Sequence, residues 1–183
     1  SNNQLKIIAP TLAANVGEVL NLPYIPEILA EVKRRAKNLI SIARADWDSY
    51  EISHDFKTLR LINTDGKNLS ITHTYQQLRT CWREMMFEML HLEQDNNSLF
   101  LEAYGLQDEL TPEVPLSEIT LTCNPHYRYG GNLTDEEREA RLQSDTIAEL
   151  ISYAIGCMMG RYSLDREGLI YAHAGNEGFK TLV

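Results

Sequence analysis

Long hydrophobic runs are missing from this chain of 183 residues. No apolar stretch approaches the roughly 20 residues that a membrane-spanning helix requires, so we expect no membrane span. The first thirty residues also lack the basic start and apolar stretch of a secretory signal, and we expect a cytoplasmic location. Cysteine is scarce too. Cys81, Cys123 and Cys157 lack the paired spacing of a zinc site or a disulfide framework, which predicts reduced and mostly buried thiols.

Positive charge is also in short supply. The chain has 17 Lys and Arg against 26 Asp and Glu, a formal net charge of -9 at pH 7. Proteins bind duplex DNA by neutralising its phosphates with cations, so an acidic surface predicts poor DNA binding by this chain alone. The local exception is the run Lys33, Arg34, Arg35 and Lys37, whose members are the candidates for contacts with DNA phosphate. A solvated helix face is the favoured interpretation of such a run.

Strand patterns are few, and helical periodicity dominates. Apolar residues recur at steps of three and four in three segments, about 26–45, 71–104 and 134–163. Thr134 followed by Glu137 forms a capping box that supports the start of the last one. Residues 119–122 alternate like a short strand, and 5–12 fit a strand or an extended segment. The predicted fold is mainly α, a helical bundle or a long antiparallel helical hairpin with one or two short strands.

The length and the 43% of apolar residues are sufficient for one domain with a sizeable core. We divide the chain into a polar scar of cloning at 1–3, an extended lead-in at 4–25, a helical domain at 26–165 and a loose tail at 166–183. Five methionines at helical spacing predict core positions rather than a binding groove: Met85, Met86, Met89, Met158 and Met159.

An oxygen-rich cluster lies between the first two predicted helices. Its members are Asp46, Asp48, Glu51, His54 and Asp55. Carboxylates of this kind bind Mg²⁺ in nucleases, so these residues are the candidate metal ligands. Their spacing matches no defined metal loop. We favour a solvated acidic connector in which Trp47, Tyr50 and Phe56 enter the core, because acids are rarely buried unpaired.

Residues 124–127, Asn-Pro-His-Tyr, are similar to the Asn-Pro-Pro-Tyr loop of amino-methylating DNA methyltransferases. In that loop the Asn amide and a Pro carbonyl accept hydrogen bonds from the amine of a flipped base. Here the third position is His126. The chain also lacks a glycine-rich turn from strand to helix, since Gly156 lies within a helical pattern. We therefore favour a turn and predict no catalytic or cofactor-binding residue in this chain.

Four blocks carry a family resemblance: residues 9–23, 46–56, 100–114 and 149–165, the last of which ends in Gly-Arg-Tyr-Ser-Leu-Asp. In this order they resemble the carboxy-terminal region of BREX-type adenine-specific DNA methyltransferases of phage defence, which are related to single-chain restriction-modification methylases. The resemblance covers most of 9–170 and implies that the chain is a piece of such a protein.

By this resemblance, the parent protein transfers a methyl group from S-adenosylmethionine to adenine N6, and its catalytic loop lies upstream. No residue here matches a catalytic position of that family. The implied role is a non-catalytic helical spacer or docking region that needs no cofactor of its own. Its implied partners are the remainder of the parent, DNA through the parent, and other phage-defence subunits.

Two other functions stay open. The chain can be an independent protein-interaction module whose acidic surface contacts a basic partner. It can also be a metal-dependent nuclease-like domain built on the residues of 46–55.

Overall fold

A computed structural model of the protein describes residues 25–62 and 70–170. Within them lie four α-helices: α1 at Leu29–Trp47, α2 at Ile71–Tyr104, α3 at Pro125–Arg128 and α4 at Asp135–Met158. Two 3-10 turns, Pro26–Ile28 and Leu116–Glu118, precede α1 and α3. These described segments contain no strand, so the fold is mainly α, as predicted. The possible strand at 5–12 lies outside them.

The long helix α2 begins and ends where local sequence signals place its ends. The Ser70 side chain accepts a hydrogen bond from the backbone N–H of His73 at the start. At the end, Gly105 takes the left-handed conformation with φ of 65°, which a glycine adopts at little cost. The 34 residues between them span about 51 Å at 1.5 Å per residue. None of the described helices is both long and apolar enough to cross a membrane.

The last helix, α4, starts as predicted but ends earlier. Thr134 and Glu137 form the capping box, with reciprocal bonds of 3.2 and 2.7 Å between their side chains and backbone N–H groups. The predicted end at about 163 is wrong, since the helix stops at Met158. Gly160 takes a φ of 75°, and the N–H of Arg161 then donates to the carbonyl of Gly156 at 2.8 Å.

The strand predicted at 119–122 is also wrong. The alternation in burial is real, since Ile119 and Leu121 are fully buried while Thr120 is exposed. The backbone nevertheless turns, because the N–H of Leu121 donates to the carbonyl of Ile119. A strand needs a neighbour for its hydrogen bonds, and the described residues supply none. Side chains of Asn124 and Asp46 bind the backbone of this segment instead.

One hydrophobic cluster contains most of the buried side chains. Its members come from α2, α4, the loop after α1, the segments on either side of α3 and the segment after α4. They are Phe56, Leu59, Leu61, Tyr75, Trp82, Met86, Met89, Ile119, Leu121, Cys123, Tyr129, Leu142, Tyr153 and Tyr162. Half-buried residues of α1, Leu39 and Ile42 among them, pack against the cluster. The core thus draws on residues from Leu39 in α1 to Tyr162 after α4.

Several predictions of burial need correction. Tyr50 and Phe56 are buried as expected, but Trp47 is half exposed. Met86 and Met89 lie in the core, whereas Met158 and Met159 are exposed. Of the three thiols Cys123 is buried, Cys157 is half-buried and Cys81 is exposed. Helical spacing shows that a residue lies on an apolar face, but it does not show which apolar face the rest of the chain covers.

Candidate functional site

The Asn-Pro-His-Tyr sequence forms the start of α3. Asn124 is fully buried, and its amide nitrogen donates to the carbonyls of Leu116 and Ile119 at 2.7 and 2.8 Å. Its side-chain oxygen accepts from the N–H of His126 at 3.0 Å. Pro125 occupies the first helical position, where its missing N–H costs nothing. The Asn124 side chain thus caps α3 through its oxygen and binds the preceding segment through its nitrogen, so the amide is used inside the fold.

Asp46, the first member of the acidic cluster, is a buried anchor at the end of α1. Its two carboxylate oxygens accept from the backbone N–H groups of Thr122 and Cys123, at 2.5 and 3.2 Å. The Ser49 hydroxyl donates to its carbonyl at 2.6 Å. Burial, followed by the nearby Asp46 carboxylate, raises the pKa of the Cys123 thiol, which keeps that thiol protonated and unreactive.

The other members of the cluster face different partners. Asp48 accepts from the Ser53 hydroxyl at 2.7 Å, and the Tyr162 hydroxyl donates to Glu51 at 3.4 Å. His54 and Asp55 are exposed. Within residues 25–62 and 70–170, no group of three or more His, Cys, Asp or Glu side chains is arranged to hold a metal ion. The structure therefore does not gather the five candidate metal ligands around one point.

The basic run lies on the first half of α1 and is partly neutralised there. Glu31 binds Arg34 and Arg35 through contacts of 2.5 and 2.8 Å, and these two arginines lower the pKa of the Glu31 carboxyl to about 2. Arg35 is half-buried and also donates to the carbonyl of Asp95 on α2. Lys33 and Lys37 are exposed. Arg35 thus joins α1 to α2, while Arg34 is paired with Glu31 within α1, and both pairings reduce the charge available for phosphate.

The sequence analysis missed a polar cluster around Arg128, the last residue of α3. Its guanidinium donates to Glu149 at 3.0 Å and lies 3.5 Å from Asp145, which also accepts from the Tyr129 hydroxyl at 2.6 Å. The same guanidinium lies over the ring of Tyr50, 5.7 Å from its centre. Burial raises the pKa of Glu149 despite the hydrogen bond from Arg128. The sequence signal for this cluster was the pair of acids Asp145 and Glu149, which lie four residues apart on one face of α4.

A second unpredicted ion pair joins α2 to α4. Buried Arg79 makes two parallel bonds to Glu139, of 2.8 and 2.5 Å. Arg83 lies 3.5 Å from the same carboxylate. The hydrogen bond from Arg79 lowers the pKa of Glu139. This pair joins α2 to α4, with Arg79 buried and Glu139 partly exposed.

Two open grooves flank the loop that follows α1. The first, of about 460 Å³, is lined by Ile40, Ala43, Arg44, Trp47, Asp48, Ser53, His54 and Asp55. The second, of about 630 Å³, shares the residues Asp48, His54 and Asp55 and adds Lys57, Arg60 and Glu167. Both grooves contain side chains of both charge signs, so neither groove selects a ligand by the sign of its charge.

Gly156 is the glycine that the sequence analysis weighed as part of a turn for S-adenosylmethionine, the cofactor that the family resemblance implies for a parent protein. Gly156 lies inside α4, and a Cβ atom there would meet the ring of Tyr162 at 2.7 Å. Its free face is thus taken by an aromatic side chain. A Gly-rich cofactor turn follows a strand, and the described segments contain none.

No protein-family model matches the chain. It is 39% identical over 181 residues to the adenine-specific methyltransferase BrxX of Escherichia coli O9:H4 (strain HS), and 34% identical over 175 residues to the adenine-specific methyltransferase PglX of Lacticaseibacillus casei (strain Zhang). These alignments cover 99% and 94% of this chain but 14% and 13% of the two relatives. The chain therefore spans about one seventh of the length of the curated relatives it matches.

Proposed function

Because the chain belongs to the family of the adenine-specific methyltransferases BrxX and PglX, of which it spans 14% and 13%, we propose that it is a non-catalytic helical support or docking region. The parent is an S-adenosylmethionine-dependent N6-adenine DNA methyltransferase of bacterial phage defence. The remainder of that parent is the first partner of this region. DNA is reached through the parent, and other defence subunits are further partners.

The observation that carries this proposal is the complete use of the Asn124 amide inside the fold. A group that binds a flipped base must be free to meet it. The same reasoning extends to Asp46 and Glu139, whose carboxylates bind backbone N–H groups and Arg79. These three side chains thus serve as contacts within the fold.

Charge supports the same assignment. A net charge of -9 repels the DNA polyanion, and Arg34 and Arg35 are paired with Glu31. We infer that other parts of the parent bind DNA, with Lys33 and Lys37 as the exposed candidates for an auxiliary phosphate contact.

Methyl transfer by the full-length methyltransferase carrying Tyr127→Ala tests the proposal. Tyr127 is 48% exposed at the position of the base-stacking aromatic residue in the resembling loop. We expect unchanged kcat and KM, because a support does not stack on the base. Phe87→Ala is the matched control, since Phe87 has the same exposed fraction on α2.

A loss of kcat in the Tyr127 variant but not in the Phe87 variant would contradict the non-catalytic role. Calorimetric binding of S-adenosylmethionine by the 183-residue chain alone would contradict it as well. Capture of a basic defence subunit by the isolated chain would instead favour an independent interaction module.

A further inference from the structure

The second half of α4 differs in character from the first half. Its last nine residues, 150–158, and the Met159 and Gly160 that follow the helix contain no charged side chain: Leu-Ile-Ser-Tyr-Ala-Ile-Gly-Cys-Met-Met-Gly. The first half of α4 presents exposed polar residues, including Glu136, Gln143 and Ser144. Apart from Ser152, the exposed residues of this segment are apolar, whereas a helix at the surface of a domain normally has a polar outer face.

One side of this segment belongs to the core. Tyr153 is 2% exposed, and Gly156 is covered by the ring of Tyr162. The opposite side, here called the exposed α4 face, consists of Ile151, Ile155, Met158 and Met159. Their exposed fractions are 57%, 50%, 88% and 70%. The first three follow a spacing of four and then three residues, which aligns them along one stripe of the helix.

We propose that the exposed α4 face is the surface on which another part of the same methyltransferase polypeptide packs, through an apolar patch of its own. The inference rests on the proposed function, because it names the partner of the support region. Burial of uncharged Ile and Met side chains away from water lowers the free energy of the system. These side chains offer no charge or hydrogen bond to a charged ligand. The two flexible methionines adapt their shape to such a patch.

The size of the face favours a partner in the same chain over a second copy. Four side chains at these exposures present a few hundred Å² of apolar surface, below the roughly 800 Å² that each partner buries in a standard interface. A segment of the same polypeptide is held nearby at high effective concentration, so a smaller contact suffices. The 183 residues span 14% of the BrxX relative, which leaves most of such a chain to supply the covering segment.

Oxidation of the native methionines by dilute hydrogen peroxide, followed by mass spectrometry, tests the proposal without a mutation. Rates follow the exposure of the sulfur atom, so Met158 and Met159 should oxidise quickly in the 183-residue chain and at least about tenfold more slowly in the full-length methyltransferase. Met86 and Met89, buried in the core, should react slowly in both proteins and report that each is folded.

A second arm uses variants of the full-length protein. Ile151→Lys with Ile155→Lys places two charges in the proposed contact and should restore fast oxidation of Met158. Gln143→Lys with Ser144→Lys adds the same charge to exposed positions of the same helix and should leave Met158 protected. If Met86 reacts quickly in the isolated chain, that chain is unfolded, and the two full-length variants decide the question.

Fast oxidation of Met158 in the unmodified full-length protein would overturn the proposal. Protection that appears in the isolated chain only as its concentration rises would identify a second copy as the partner and would overturn it too. Protected Met158 combined with a catalytic role for Tyr127 would disprove the proposed function while leaving this contact in place, so the two failures are distinguishable.

Discussion

Replacing Asp46 by Asn separates a structural carboxylate from a metal ligand. The side chain is 2% exposed, and its two oxygens accept from the N–H groups of Thr122 and Cys123. These bonds span more than seventy residues and fix the end of α1 to the segment that leads into α3. An Asn side chain keeps one acceptor oxygen but turns its NH₂ group toward the second N–H.

The expected cost follows from that mismatch. A buried N–H without an acceptor costs about 1 to 3 kcal/mol, and the bond that remains loses its charge assistance. We expect Asp46→Asn to lower the free energy of unfolding by about 2 to 4 kcal/mol, a large part of the 5 to 15 kcal/mol typical of a domain. Asp55→Asn is the matched control from the same acidic cluster. Asp55 is exposed, so its replacement should change stability by less than about 0.5 kcal/mol.

Urea unfolding of the 183-residue chain, followed by circular dichroism at pH 7, measures both changes. Equal effects of the two substitutions, or a loss below about 1 kcal/mol for Asp46→Asn, would refute the anchoring role. Repeating the measurement with millimolar Mg²⁺ adds a direct test of the metal interpretation. A ligand that binds the folded state raises its stability, so a rise abolished by Asp46→Asn would identify a metal site.

Further substitutions test the contacts of α4. Gly156→Ala should cost about 1 to 3 kcal/mol in urea unfolding, because the new Cβ would lie 2.7 Å from the Tyr162 ring. Gly130→Ala is its control, with open space around the new atom, and an equal loss there would disprove the steric explanation. Glu139→Gln leaves Arg79 buried without an opposite charge. We expect it to lower the free energy of unfolding by about 1 to 3 kcal/mol, a range that allows for solvent screening of the partly exposed carboxylate. The pKa of Glu139 is lowered in the folded state, so the pair stabilises above the ordinary pKa of Glu and this contribution is lost as the pH falls through the lowered value. The difference between Glu139→Gln and the parent chain should therefore shrink on acidification, and a difference independent of pH would contradict the ion-pair explanation.

Local signals predicted much of the helical architecture. The limits of α2 were predictable because Gly105 and the preceding turn are themselves local, and the capping box at Thr134 placed the start of α4. The end of α4 was not predictable in the same way, since Gly160 can lie within a helix or reverse the chain. The alternation of apolar and polar residues at 119–122 led to a wrong prediction of a strand. A strand requires a neighbouring strand, and one short segment cannot show whether that neighbour exists.

The residues of the candidate site divide in the same way, into those with partners nearby in sequence and those with distant partners. The turn at Asn124 was predictable because its partners, from Leu116 to His126, are close in sequence. The contact between Asp46 and Thr122 joins residues 76 positions apart, and Arg128 and Glu149 are 21 apart. No periodicity within one element encodes such pairs, so the roles of these charges emerge only from the folded chain.

Three of the polar contacts between elements distant in sequence are Asp46 with the segment before α3, Arg79 with Glu139, and Arg128 with Glu149. A hydrophobic cluster tolerates several arrangements of its members, whereas a directed hydrogen bond between buried groups accepts few. These contacts therefore favour one fixed placement of α4 relative to α2 and α3. A docking surface can fix the orientation of the segment that packs on it only if its own helix is held in this way. These polar contacts and the exposed α4 face are then two requirements of the proposed support role. Weakening the Arg79 pair should therefore loosen the protection of Met158 in the full-length protein without removing any atom of that face.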